Sequence, residues 1–272
     1  MPGTLRTPLI AGNWKQNTTA AQALHLVQKL AWTLRDAGFD ATGTEVAVMP
    51  PFPWLRSVAT LLERDAVPVA LGAQDVSVFD GGAHTGEVSA AMLADAGCRY
   101  VLVGHSERRS DRGDRSGDTD QVVAVKLRRA LAAGLTPVLC IGETTEVRDQ
   151  GQAVEHNAAQ VRAALAAVDG RDEVAADRLV VAYEPLWAIG SGASATPQDA
   201  QQMCAAVREE LAGRSGRAAA DATRILYGGS VTTSTVVGLL EPPDVDGVLV
   251  GGASLDPTQF AGICRFRDLP RI

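Results

Sequence analysis

The sequence predicts an α/β protein, a single-domain (β/α)8 barrel over residues 1–272 with residues 1–7 as an N-terminal tail. Three observations carry this expectation. Short apolar runs recur eight times, and they are continuous rather than alternating, as strands buried on both faces of a parallel sheet must be. Amphipathic helical patterns lie between them. The strand-helix units repeat at roughly thirty residues with no Pro/Ser-rich linker dividing the chain, which gives a barrel or, alternatively, a large open sheet.

The first strand is LIA at Leu9, followed by a helix with Leu24, Val27, Ala31 and Leu34 on one face and a left-handed C-cap expected at Gly38. VAV at Val46 and VPVAL at Val67 are the second and third strands, and Gly97 closes the helix before the fourth, VLV at Val101. Val123, Leu127, Ala130 and Leu131 line the next helix, which leads past Gly134 into VLCI at Val138. Val154, Val161, Leu165 and Val168 form a further helical face ahead of LVVA at Leu179. Thr196-Pro197 reads as an N-cap followed by proline at the first helical position. IL at Ile225 and VLV at Val248 complete the set. Two polar stretches punctuated by glycine, RSDRGDRSGDTD from Arg109 and AGRSGRAAADA from Ala212, read as surface loops.

A net charge of -7 and a pI near 5.1 argue against a nucleic-acid groove or an anionic membrane surface and favour small metabolites as partners. Cys98, Cys140, Cys204 and Cys264 are far apart, without a CxxC pair or a histidine at ligand spacing, so no metal site is expected and a reduced, cytoplasmic setting fits. MPGTLRTPLI lacks the apolar stretch of a signal peptide, and no run reaches the roughly 18 apolar residues of a membrane span.

In such a barrel the reacting groups lie at the C-terminal ends of strands. There the sequence places Asn13 and Lys15 after the first run, His105 and Glu107 after the fourth, and Glu184 after the sixth. YGGS and GGAS follow the seventh and eighth; two glycine turns after consecutive strands suit a phosphate, because backbone without β-carbons approaches its oxygens closely. Glu184 stands directly before the proline of AYEPLWAIGSG, from Ala182 to Gly192, in which proline and tryptophan stiffen the start of a segment that ends in flexible glycines, as a lid over a proton-abstracting carboxylate would need. His105 precedes SERR, a short helix whose N-terminal dipole disfavours imidazolium. His25, His84 and His156 read as ordinary polar residues.

AGNWKQN, GHSERR, AYEPLWAIGSG, YGGSV and LVGGASLDP, in that order, resemble the triosephosphate isomerase family, and the resemblance covers essentially the whole chain. It implies a TIM barrel that interconverts dihydroxyacetone phosphate and D-glyceraldehyde 3-phosphate through an enediol(ate), in glycolysis and gluconeogenesis, without a cofactor. The roles are the family's own, carried over by motif match: Glu184 the base, His105 a neutral electrophile, Lys15 a fixed positive charge. Glu107 would hold the Lys15 ammonium, Asn13 would orient substrate oxygens, and Gly190, Ser230, Gly251 and Gly252 would bind the phosphate. The resemblance also implies a homodimer in which Thr85, within GAQDVSVFDGGAHTGEVS from Gly72, reaches the partner's site.

Three positions depart from the family pattern: Ala193 where lysine is usual, Gln16 for methionine and Asp75 for asparagine. They bear on loop motion, substrate preference and a pH-sensitive contact rather than on the type of reaction. The rival readings are an isomerase for a longer ketose phosphate such as erythrulose phosphate, another phosphate-binding barrel, and a non-catalytic barrel. Keeping Lys15, His105 and Glu184 together weighs against the last two.

Overall fold

The computed structural model of the chain describes residues 6–111, 116–166, 168, 178–189 and 195–270. The first half runs β1 (Leu9–Asn13), α1 (Ala20–Asp36), β2 (Glu45–Met49), α2 (Leu55–Arg64), β3 (Ala70–Ala73), α3 (Ala90–Asp95) and β4 (Tyr100–Val103). It continues with α4 (Ser106–Arg109), α5 (Asp120–Ala132), β5 (Thr136–Ile141), α6 (Thr145–Asp149), α7 (Ala153–Leu165) and β6 (Val180–Tyr183). Last come α8 (Pro197–Ser215), α9 (Arg217–Ala222), β7 (Arg224–Tyr227), α10 (Val236–Leu240), β8 (Gly247–Val250) and α11 (Pro257–Cys264). The strands pair in parallel in sequence order, and β1 also pairs with β8, closing the barrel. Closure depends on Gly247, where a β-carbon would lie 2.0 Å from the Leu9 carbonyl oxygen and push the two strands apart.

Alternation along the strands divides the core in two. Leu9, Ala11, Met49, Leu102, Val138 and Ala182 fill the barrel, whereas Ile10, Val48, Val101, Leu139 and Val181 meet the helices. Both sets are buried, which is why the strands read as unbroken apolar runs. At about 1.5–3 kcal/mol for each fully buried large aliphatic side chain, these two layers hold the barrel closed. α1 begins in a capping box between Thr19 and Gln22 and turns Ala23, Leu26, Val27, Leu30, Ala31 and Leu34 onto the sheet. Gly38, Gly97 and Gly134 adopt the expected positive φ, and Thr196 caps α8 ahead of Pro197.

Four expectations need correction. The third strand starts at Ala70, not Val67, because the Val67 N–H closes the end of α2 on Leu62 O and Pro68 has no N–H to give. Val154 is 43% exposed in the first turn of α7, so the buried face begins at Asn157; Val168 is buried but lies past the helix end. The stretch from Ala212 is helical: α8 continues to Ser215, Gly216 breaks the chain, and α9 follows, the alanines' helix propensity outweighing the glycine signal. The stretch from Arg109 is a surface loop only in part. Arg109 ends α4 and pairs with Asp120, and Asp118 accepts from the buried Lys126 at 2.6 Å.

Of the expected N-terminal tail, residues 1–5 lie outside the described residues, while Arg6 is docked through Nε on Asp246 Oδ1 at 2.6 Å. The cysteines are all buried and free, and burial pushes the Cys98 thiol up to about 12, which leaves it inert. No helix among the described residues is long and apolar enough to cross a membrane.

Candidate active site

The alternation that builds the core also aims the site. Val180 and Ala182 point into the barrel, so Glu184, two residues further on, enters its mouth and is buried. Asn13 follows Leu9 and Ala11 in the same way. After Val101 and Val103, which face the helices, the same rule would turn His105 outward. Gly104, at φ +72, breaks the alternation, and His105 becomes the N-cap of α4 inside the mouth.

The carboxylate and the imidazole touch. His105 Nε2 is 2.9 Å from Glu184 Oε1, and Glu184 Oε2 accepts the Ser106 N–H at 2.9 Å. His105 Nδ1 accepts the Glu107 N–H at 3.1 Å, which leaves the proton of a neutral ring on Nε2, donated to Glu184. Burial opposes a charge on His105, the Glu184 carboxylate favours one and outweighs it, and the pKa is raised above its ordinary value. That balance holds only while Glu184 stays in contact. Protonating Nδ1 would cost the Glu107 N–H bond, yet the net shift is upward, against the sequence expectation that the N-terminus of α4 disfavours imidazolium.

Glu184 is seated by two glycines, Gly142, which the sequence analysis does not name, and Gly228, the first glycine of YGGS. A β-carbon at Gly142 would lie 2.0 Å from the Glu184 carbonyl oxygen, and one at Gly228 would lie 3.0 Å from Glu184 Cγ. Gly142 directly follows the apolar run VLCI, which is the signal that could have found it.

Lys15 sits in the left-handed region at φ +53, a conformation that costs a side-chain residue about 1–3 kcal/mol and must be held. Its N–H donates to Asn13 Oδ1 at 3.0 Å, and its carbonyl accepts from Gln74 Nε2 at 2.8 Å. Its ammonium lies 2.9 Å from Glu107 Oε1, with about a third of each side chain exposed or more, so the pair is worth only about 0–1 kcal/mol and acts as a guide. Gln74, whose Nε2 also donates to Met49 O at 2.8 Å, is a support that the sequence analysis does not name.

Asn13, Lys15, His105, Glu184, Ser230, Gly251 and Gly252 line one cavity of about 330 Å³. The Lys15 stem passes 3.7 Å from where a Gly251 β-carbon would be, and a β-carbon at Gly252 would meet nothing within 4 Å, which leaves that backbone accessible. Gly190 and Ala193 lie outside the described residues. Glu107 borders an adjoining cavity of about 350 Å³ with Gln16, Phe52, Gln74, Asp75 and Arg108. Thr85 is exposed on its loop, where the Phe79 and His84 rings stack 3.5 Å apart. Asp75, expected to make a contact pH-sensitive, is paired within its own chain with Lys126 at 2.8 Å and Arg108 at 2.7 Å.

The segment after Glu184 starts from an anchored turn. Glu143, fully buried and unforeseen in the sequence, accepts from Tyr183 Oη at 2.9 Å, Trp187 Nε1 at 2.8 Å and Asn157 Nδ2 at 2.8 Å. Its backbone carbonyl takes the Leu186 N–H at 3.1 Å. Among the described residues no group of three or more His, Cys, Asp or Glu is placed to hold a metal ion.

The family model described as triosephosphate isomerase matches residues 8–267. The chain is 52% identical to the triosephosphate isomerase of Leifsonia xyli over 262 residues, 96% of this chain and 98% of that protein. It is 49% identical to that of Streptomyces coelicolor over 265 residues, 97% and 99% of the two chains. The Mycobacterium tuberculosis triosephosphate isomerase is 50% identical over 256 residues, 94% and 95% of the two.

Proposed function

The chain belongs to the triosephosphate isomerase family, and we propose that it interconverts dihydroxyacetone phosphate and D-glyceraldehyde 3-phosphate with Glu184 as base and His105 as electrophile. The observation that carries this reading is the 2.9 Å contact between His105 Nε2 and Glu184 Oε1 on the wall of a cavity that Lys15, Ser230, Gly251 and Gly252 also line.

Glu184 rests on Ser106 N–H and His105, so it exchanges those donors for the substrate. It takes a proton from one carbon and returns it to the neighbouring one, a transfer a positioned base accelerates by roughly 10²–10⁴-fold. His105, freed from the carboxylate, donates its Nε2 proton toward the substrate carbonyl oxygen, with Asn13 alongside to orient that oxygen. Lys15 places a fixed charge near the phosphate and the developing oxyanion, and one well-placed donor of this kind is worth about 3–4 kcal/mol. Backbone N–H groups at Ser230, Gly251 and Gly252 take the phosphate.

The segment from Pro185 through Gly190 acts as a lid whose closure excludes water from the enediolate. The protein works as a cytoplasmic homodimer, with Thr85 of a second copy entering the adjoining cavity. Phe79 and Met92, 42% and 57% exposed, support that reading because the Thr85 loop and the helix after it would otherwise leave them in water.

The test is purified protein with glyceraldehyde 3-phosphate and a coupled readout of dihydroxyacetone phosphate. Turnover is expected; failure to form the ketose overturns the reading. Erythrulose phosphate serves as the competing substrate, and a larger kcat/KM for it would move the assignment to the longer ketose.

A further inference from the structure

On the side that faces β4, β5 outlasts its neighbour. The ladder between the two ends at Val103 and Leu139, because the chain turns off at Gly104 to start α4, whereas β5 runs on to Ile141. Ile141 turns its carbonyl to β6, where it accepts the Glu184 N–H at 2.7 Å. Successive peptide groups of a strand point to opposite sides, so Cys140 and Gly142 face the gap that β4 has left. Buried backbone groups there need partners. Arg109 Nη2 donates to Cys140 O at 3.3 Å. Gly142 is served by Gln160 of α7, whose Oε1 accepts the Gly142 N–H at 3.0 Å and whose Nε2 donates to Gly142 O at 3.3 Å.

One amide side chain thus replaces the missing strand, since a glutamine, like a peptide group, offers a donor and an acceptor in one plane. The two bonds fix its orientation, because a flipped amide would set oxygen against oxygen. His156 Nε2, 3.0 Å from Gln160 Nε2, is then a further acceptor. Gln160 is only 9% exposed. What it holds has no slack toward Glu184: a β-carbon at Gly142 would lie 2.0 Å from the Glu184 carbonyl oxygen, and Glu143 O on its other side takes the Leu186 N–H at 3.1 Å.

We propose that Gln160 is a positioning residue for Glu184: by holding the Gly142 peptide where β4 no longer can, it fixes the backbone from which the carboxylate reaches a carbon-bound proton. The proposal rests on the reading of Glu184 as base. Gln160 does not line the cavity and acts through Gly142.

Gln160→Met keeps the length of the side chain and removes both bonds to Gly142. With glyceraldehyde 3-phosphate, kcat should fall about tenfold, because proton transfer tolerates little displacement of the base. Inhibition by inorganic phosphate should be unchanged, since the phosphate contacts proposed for Ser230, Gly251 and Gly252 follow β7 and β8. Deuterium at the migrating position should slow the variant more than the wild type, because a displaced base makes that step limiting. A folded Gln160→Met with wild-type kcat, with an isotope effect no larger than the wild type's, or with phosphate affinity that falls as far as kcat, overturns the proposal. If Gln160→Met does not fold, Gln160→Asn, which keeps the amide but is one methylene short of Gly142, decides by the same three readouts. Wild-type protein without isomerase activity overturns the functional reading and this assignment with it, whereas an active wild type with an unaffected variant overturns the assignment alone.

Discussion

His105 Nε2 and Glu184 Oε1 lie 2.9 Å apart, with the other Glu184 oxygen on the Ser106 N–H, so the proposed base and electrophile engage each other in this conformation. Substrate binding therefore has to separate them, and the separation changes the electrostatics of both.

The first consequence is a titration that moves. Burial lowers the pKa of His105 and the Glu184 carboxylate raises it, with the net shift upward from 6.5. A raised folded-state pKa stabilises the protein fully below the unfolded value and loses that contribution as pH rises through the folded value. The stability gap between wild type and Glu184→Gln should thus be largest below pH 6.5 and close above it. Histidine NMR should place His105 above its ordinary value in the free protein and lower with a phosphorylated enediolate analogue bound. A His105 titration that ignores the analogue would contradict the proposed exchange of Glu184's partners.

Shortening the base isolates reach from binding. Glu184→Asp withdraws the carboxylate by about 1.5 Å, and kcat should drop roughly 10²-fold or more because proton transfer tolerates little misplacement. KM should change little, since the phosphate contacts proposed for Lys15, Ser230, Gly251 and Gly252 are untouched. Steady-state kinetics showing an unaltered kcat would remove Glu184 from the role of base.

Strain at Lys15 gives a stability prediction that separates two variants expected to lose activity alike. At φ +53 a glycine is at ease and an alanine is not, so Lys15→Gly should be more stable than Lys15→Ala by about 1 kcal/mol. Both variants lose the weak Glu107 pair, which cancels in the comparison. Both should lose activity by roughly 10²-fold or more, the cost of one electrostatic donor. Urea unfolding that ranks alanine equal to or above glycine would mean the backbone relaxes once the ammonium is gone.

The fold was legible because its signals are local and redundant: β1, for example, is a buried apolar run, and α8 opens with Thr196-Pro197. The positions of Asn13, Lys15, His105 and Glu184 were legible because each lies at or within two residues of the end of a strand. What stayed hidden depends on contacts far apart in the chain. Glu143 reads as an ordinary glutamate until the fold brings Tyr183 and Trp187 to it, 40 and 44 residues away. Gln74 likewise acts on Lys15 across 59 residues. The stretch from Ala212 was misread for a different reason, since its glycines and arginines mimic a loop while its alanines continue a helix.

Asp75 offers the last prediction. Its carboxylate bridges Lys126 at 2.8 Å and Arg108 at 2.7 Å, and Lys126, only 4% exposed, is also 2.6 Å from Asp118. Restoring the family's asparagine removes one of two counter-charges from a buried ammonium without orphaning it. Asp75→Asn should therefore cost about 1–3 kcal/mol rather than the about 3–5 kcal/mol of a wholly unpaired buried charge. Lys126→Met should cost more, because it sets Asp75 and Asp118 side by side with Arg108, 2.7 and 4.0 Å away, as the cation left to them among the described residues. Arg108 follows Glu107 in α4, so loosening it should also loosen the guide for Lys15 and raise KM more than it lowers kcat. Urea unfolding and steady-state kinetics on the two variants check both parts. Asp75→Asn at wild-type stability would mean that Asp118 alone satisfies Lys126 and that the aspartate serves some contact outside its own chain.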